Sequence, residues 1–139
     1  MALDHPTKLH GYQKNKISKE MYLKAIFLFK EKHSKDPKPV DIAKELQLSK
    51  GSVSEQLNKL AEEEIISYES YKPITLTKKG MQDAKNVVRK YLTVKKFLTN
   101  FLNIKEDNAH TEACNLEHGF SDESIAKLNI LMKILEKKK

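Results

Sequence analysis

Pro39-Val-Asp-Ile-Ala-Lys-Glu-Leu46, then Gln47-Leu-Ser-Lys50, then Gly51-Ser-Val-Ser-Glu-Gln-Leu-Asn-Lys-Leu60 decide the fold. Pro39 suits the first turn of a short amphipathic helix, because its missing N–H has no partner to lose there. Ala43 is small enough to let a second helix cross closely. Gln47–Lys50 makes a tight connection, and Ser49 can cap a third helix running from Lys50 to about Glu64. Val53, Leu57 and Leu60 fall on one face of that helix, and Ser52, Glu55, Gln56 and Lys59 on the other. A short helix, a turn and a longer helix with a polar outer face form a helix-turn-helix pattern.

The flanks extend it. Ile65-Ile-Ser-Tyr-Glu69 and Ile74-Thr-Leu-Thr77, separated by Ser70-Tyr-Lys-Pro73, read as a β-hairpin wing. Upstream, Ser18 suits the N-cap of a helix running to about His33, before Asp36-Pro-Lys-Pro39 breaks it. Met21, Tyr22, Ala25, Ile26, Leu28 and Phe29 give this helix a wide apolar face. Residues 1–17 show no clear period and read as a flexible arm or a short extra element, which could touch DNA. Downstream, Thr77 can cap a long helix from Lys78 to about Leu102, with Met81, Ala84, Val88, Tyr91, Leu98 and Leu102 as its apolar positions. The pattern asks for another apolar residue at 95, where the chain has Lys95. A helix this long, beginning at a wing, normally joins a DNA-binding domain to a dimerisation domain. Asn103–Asn108 turns into a further helix ended by Gly119. Ser121 caps a last helix, whose Ile125, Leu128, Leu131, Met132 and Leu135 could pack across a two-fold axis.

The expected fold class is mainly α with a small β-hairpin wing. A winged helix-turn-helix DNA-binding domain (18–79) is followed by a linking helix and helical dimerisation domain (80–139). The chain has 139 residues, 32% of them charged. No apolar run approaches the roughly 18 residues that span a bilayer, and no charged-then-apolar leader opens the chain. One cysteine excludes an internal disulfide and suits a reducing cytoplasm. The net charge of +7 is unevenly spread. Lys72, Lys78, Lys79, Lys85, Arg89, Lys90, Lys95 and Lys96 face the single acid Asp83, whereas Glu106–Ala126 has no Lys or Arg. A basic half suits a polyanion and an acidic half suits cations.

Ser49, Lys50, Gly51, Ser52, Gln56, Lys59 and the wing's Lys72 are the candidate DNA contacts; Tyr71 could join them. Hydroxyl, amide and amine groups reach base edges or phosphates, and Gly51 lets backbone N–H groups approach a phosphate. A plain solvated face would look similar. Glu55 cannot bind phosphate; it could accept from a cytosine amine.

The second chemical signal is His110-Thr-Glu-Ala-Cys-Asn-Leu-Glu-His118. On a helix, His110, Cys114, Glu117 and His118 fall within an arc of roughly 100°. Ala109, Ala113, Leu116 and Phe120 form the neighbouring apolar stripe. Sulfur, imidazole and carboxylate on one face are metal-ligand chemistry. No nucleophile–base pair or phosphate loop points to catalysis, so the chain does not read as an enzyme.

With wing and cluster placed, the chain resembles the diphtheria toxin repressor family, the iron- and manganese-dependent transcriptional regulators of bacteria and archaea. The matching residues are Glu20-Met-Tyr-Leu-Lys-Ala-Ile26, Asp41-Ile-Ala43, Leu76-Thr-x-x-Gly80 and His110-x-Glu-Ala-Cys-x-x-Glu-His118, followed by Ser121-Asp-Glu123. They cover about residues 18–136 in order. The resemblance implies a primary metal site of Met21, Cys114, Glu117 and His118, and a nearby site using His110 with Glu117 shared. It also implies a homodimer whose metal fixes two helix-turn-helix modules over a palindromic double-stranded DNA operator. Where the family has an ancillary His and Glu, this chain has Tyr91 and Lys95. The ammonium of Lys95, paired with Glu117 or a neighbouring carboxylate, is then expected to stand in for a second ion. The third domain of longer relatives has no counterpart before Lys139.

Thiolate and thioether are soft ligands, so Fe²⁺ is expected over Mn²⁺, with Co²⁺, Ni²⁺ or Zn²⁺ able to bind in vitro. Two other functions remain open: a winged-helix regulator with a degenerate, metal-independent site, and a small metalloprotein with no DNA role.

Overall fold

The computed structural model describes residues 10–70 and 72–138. The first part of the expected flexible arm (residues 1–9), Tyr71 at the wing tip and Lys139 lie outside them. Among the described residues six α-helices and one hairpin follow in order: α1 (His10–His33), α2 (Pro39–Leu46), α3 (Lys50–Glu62), β1 (Ile66–Ser67), β2 (Thr75–Leu76), α4 (Lys78–Lys96), α5 (Glu106–Leu116) and α6 (Asp122–Lys137). The chain divides into two compact units, the first ending at Ala84 and the second running from Lys85 to Lys139.

In the first unit, α2 and α3 form the expected helix-turn-helix. Pro39 opens α2, while Gln47, at φ 55°, closes it in the left-handed conformation. Asp41 accepts the N–H of Lys38 at 2.8 Å, and Ser49 accepts that of Ser52 at 3.1 Å, so side chains satisfy the open helix starts. Ile42, Val53 and Leu57 are fully buried with Leu23, Ile65 and Ile74 in one core. The wing is antiparallel, pairing Ile66 with Leu76 and Ser67 with Thr75. Its strands are shorter than expected. Ile74 donates its N–H to Pro37 at 2.7 Å, and Lys72 turns back onto Glu69 at 3.0 Å, so both leave the ladder.

Three expectations need correction here. Helix α1 starts at His10, not at a Ser18 cap, so residues 10–17 are helical rather than an arm. Pro6 is the last proline before His33, and Gln13, Lys14, Lys16 and Ile17 are residues an α-helix accepts. The apolar face of α1 is also narrower: Tyr22, Leu23, Ala25 and Ile26 are buried, while Met21 and Leu28 are 38% and 37% exposed. Helix α3 ends at Glu62, two residues early, and Glu64 turns the chain at φ 60°.

The second unit packs Tyr91, Val94 and Leu98 against Ala109, Ala113 and Ile125. The apolar position expected at 95 is supplied by Val94, at 2% exposure. Helix α4 widens into a π-turn at Phe97–Phe101, where Thr99 donates its hydroxyl to the Lys95 carbonyl at 3.0 Å. Leu102 is 51% exposed rather than packed. Ser121 caps α6 by accepting the N–H of Ser124 at 3.0 Å. Among the described residues, no helix is long and apolar enough to cross a membrane.

Thr77 and Gly80 tie the wing to α4. The Thr77 hydroxyl donates to the Glu64 carbonyl at 2.6 Å and accepts the Gly80 N–H at 3.1 Å. A Cβ on Gly80 would sit 1.9 Å from the Ile65 carbonyl oxygen. Gly80→Ala is therefore expected to lower stability by roughly 3 kcal/mol, read as a fall in the urea midpoint. Ala at Gly51, where a Cβ meets nothing within 4 Å, is the unstrained comparison.

Candidate metal centre and nucleic-acid interface

Ala109 and Ala113 turn one face of α5 into the second core, and the next position on that face, at i+4, is Glu117. The helix tightens into a 3₁₀ turn over Glu117–Gly119 and ends at Gly119 as expected, though that glycine is not left-handed. The expected stripe holds at Ala109, Ala113 and Phe120 and fails at Leu116. Leu116 is 45% exposed, whereas the Glu117 carboxylate is buried at 1%. Burying an ionised carboxylate is costly unless positive charge and hydrogen bonds compensate. His118 supplies one partner: its Nε2 lies 3.3 Å from Glu117 Oε1, with the imidazole itself 6% exposed.

One turn back, Cys114 Sγ is 3.9 Å from both ring nitrogens of His110. The Tyr91 hydroxyl meets His110 Nδ1 at 2.6 Å. If Nδ1 carries the proton and donates it to the tyrosine oxygen, Nε2 is left as a ligand, the usual arrangement for a metal-binding imidazole. Nitrogen with sulfur, or nitrogen with oxygen, on one tetrahedral ion lie about 3.4–3.6 Å apart at normal bond lengths. The Glu117–His118 pair is near that spacing at 3.3 Å, and the Cys114–His110 pair is wider at 3.9 Å. The donor chemistry therefore fits a borderline or soft divalent ion.

The five expected ligands are not assembled into a finished cage. Among the described residues no three His, Cys, Asp or Glu side chains gather as one metal-holding group. Cys114 stands beside His110, and Glu117 beside His118. Met21 belongs to the first unit; the other four belong to the second.

Lys95 forms an ion pair with Glu106, and its Nζ lies 5.8 Å from the centre of the Tyr91 ring. The hydrogen bond to Glu106 holds the Lys95 ammonium above the ordinary lysine pKa. The carboxylate meeting Lys95 is thus Glu106, a neighbour in the fold, and not Glu117. A further tie that sequence reasoning missed joins α4 to the start of α6. Asn86 donates to Asp122 at 3.0 Å, and the buried Lys90 reaches the same oxygen at 3.4 Å. The one available signal was that Asn86 and Lys90 stand four apart on one face.

On the first unit, Ser49, Lys50, Gly51, Ser52 and Lys59 are exposed and Gln56 is half-buried. The Ser49 hydroxyl is engaged with Ser52, to which it donates at 3.0 Å, so its role includes capping. Lys72 pairs with Glu69 at 2.6 Å on the wing, which raises the lysine pKa and lowers that of the glutamate. Such exposed pairs are weak enough to yield to a phosphate.

Residues 16–74 match the family described as iron dependent repressor, N-terminal DNA binding domain. Residues 77–138 match the iron dependent repressor metal binding and dimerisation domain. The chain is 40% identical over 113 residues to an uncharacterised HTH-type transcriptional regulator of Methanocaldococcus jannaschii, covering 81% of this chain and 90% of that protein. It is 28% identical over 119 residues to the HTH-type transcriptional regulator MntR of Bacillus subtilis, covering 86% and 82%. Against the diphtheria toxin repressor of Corynebacterium jeikeium the identity is 30% over 104 residues, covering 75% and 43%. A solved manganese-dependent transcriptional repressor in complex with manganese matches with a TM-score of 0.77 at 30% identity, covering 83% of this chain and 52% of that one. The chain spans about half the length of that solved repressor.

The Asn86 hydrogen bond holds the Asp122 carboxyl below its ordinary pKa, aided by Lys90 and Arg89 and opposed by partial burial. A lowered aspartate stabilises fully above its unfolded value of about 3.9 and loses that contribution as pH falls through the folded value. Thermal melts should therefore fall more steeply below pH 4 in the wild type than in Asp122→Asn. Parallel acid profiles would contradict this.

Proposed function

The chain belongs to the iron-dependent repressor family of metal-dependent transcriptional regulators, and we propose that it binds a palindromic operator as a homodimer when a divalent metal ion occupies its second unit. Met21, Cys114, Glu117 and His118 would hold the ion, with His110 at the neighbouring position. The observation that carries this is the buried Glu117 carboxylate beside His118, inside the segment that matches the metal binding and dimerisation domain. A divalent ion supplies there the positive charge that lets a cluster of deprotonated ligands stay together. Met21 is 38% exposed between the buried Glu20 and Tyr22, which suits a ligand better than a core residue.

The DNA side of the proposal uses Ser49, Lys50, Gly51, Ser52, Gln56, Lys59 and Lys72. The homodimer is supported by Ile130, Leu131, Ile134 and Leu135 of α6, which are between 38% and 58% exposed along one stripe. Among metals, the soft donors favour Fe²⁺ over Mn²⁺, with Zn²⁺, Co²⁺ and Ni²⁺ binding in vitro. The regulated genes would serve metal homeostasis, in the cytoplasm.

Tyr91 and Lys95 shape the stoichiometry. Tyr91 is committed to His110 and Lys95 to Glu106, so both positions are filled by internal contacts, one of them a fixed cation. We therefore assign one ion to each subunit. Metal analysis of the reconstituted protein should return about one tightly held ion per chain; two would overturn the assignment.

The functional test is duplex binding under anaerobic conditions with and without Fe²⁺. Fe²⁺ should tighten operator binding at least tenfold in the wild type, an ordinary size for coupling between two sites. Cys114→Ala should lose most of that gain while still binding in the metal-free manner. Equal affinity with and without Fe²⁺, Mn²⁺, Co²⁺ and Zn²⁺ would favour a metal-independent regulator.

A further inference from the structure

The first unit contains a groove of about 310 Å³ lined by Asn15, Lys16 and Lys19 of α1 and by Gln56, Lys59 and Glu63 at the end of α3. Three ammonium groups and two primary amides face one carboxylate. The carboxylate is at one end: Glu63 pairs with Lys19 at 3.7 Å. One turn back come Asn15 and Lys16 on α1 and Lys59 on α3, and Gln56 lies a further turn back. That end is rich in N–H donors of the kind that hold an anion.

We propose that this groove seats a phosphate of the DNA backbone beside the bases read by α3, making the first half of α1 a second DNA contact. This rests on the DNA-binding reading above, and adds Asn15, Lys16 and Lys19 to it. The groove exists because α1 starts at His10: a helix beginning at Ser18 would carry Lys19 but neither Asn15 nor Lys16. Gln56 and Lys59 already belong to the outer face of α3, so a duplex lying on that face brings its phosphates past the groove. The two ion pairs crossing or flanking it are long, at 3.7 Å for Lys19–Glu63 and 4.0 Å for Lys59–Glu55; Glu63, Lys59 and Glu55 are more than half exposed and Lys19 about one third. Pairs of that kind hold too weakly to compete with a phosphodiester. Phosphate contacts set register and orientation without reading sequence. The groove therefore adds affinity equally for operator and random duplex.

The test measures duplex affinity against salt for the metal-loaded full chain. Lys16→Gln with Lys19→Gln should weaken operator and random duplex by the same factor and lower the log–log salt slope by about 0.9 for each phosphate no longer neutralised. Lys14→Gln, at an exposed position outside the groove, should leave the slope near that of the wild type. Glu63→Gln should move affinity the other way by releasing Lys19. An unchanged slope in the double variant, or an equal fall in Lys14→Gln, overturns the seat while leaving DNA binding by α3 intact. Failure of the wild type to bind any duplex overturns both. In NMR spectra, the Asn15 and Gln56 side-chain amides should shift on adding duplex. A shift with inorganic phosphate and none with duplex would assign the groove to a free anion and overturn the DNA contact.

Discussion

The second unit depends on how a carboxylate can be buried. Glu117 sits where helix periodicity would put the next small apolar residue after Ala109 and Ala113, at 1% exposure. The two alanines let α5 lie close against Tyr91, Val94 and Leu98, and that packing carries Glu117 inward. A buried carboxylate must be met by charge. His118 provides one partner, and the adjacent Cys114–His110 pair provides further donors of metal-binding type. Under the proposed function a bound cation would add to those partners and favour the state that holds it, the physical basis for a switch.

The side chains around that site are engaged with one another. Tyr91 orients His110 through its hydroxyl, and Lys95 is drawn to Glu106 while lying near the Tyr91 ring. The half-exposed Lys95–Glu106 pair adds at most about 1 kcal/mol of stability. Its consequence is for charge: under the proposed function, the Lys95 ammonium would disfavour a second ion nearby. The Asn86–Asp122–Lys90 tie performs a similar task at the start of α6, fixing a helix whose outer apolar stripe awaits a second copy.

Local chemistry made much of this legible beforehand. Pro39, Ser49 and Ser121 cap or open the helices that their types suggest, and Thr77 with Gly80 joins wing to helix for a steric reason. What periodicity alone misjudged lay where tertiary contacts decide. The start of α1 had no sharp cap signal, and Ser18 offered a false one. The wing strands shortened because Ile74 donates to Pro37, a pairing no local pattern announces. The Leu116–Glu117 exchange follows the i+4 step of Ala109 and Ala113 to Glu117, where residue type alone had favoured the apolar Leu116 at i+3. The partner of Lys95 required the turn before α5 to bring Glu106 back, so a neighbouring carboxylate could be foreseen but not named.

The central claim is that metal and DNA bind to the same state of the protein, so each must strengthen the other by an equal factor. The most direct measurement is Fe²⁺ affinity, determined anaerobically by calorimetry with and without an operator duplex selected from a random pool. Fe²⁺ should bind more tightly when the duplex is present, by the same factor that Fe²⁺ tightens the duplex. Identical Fe²⁺ affinity in the two experiments would contradict it.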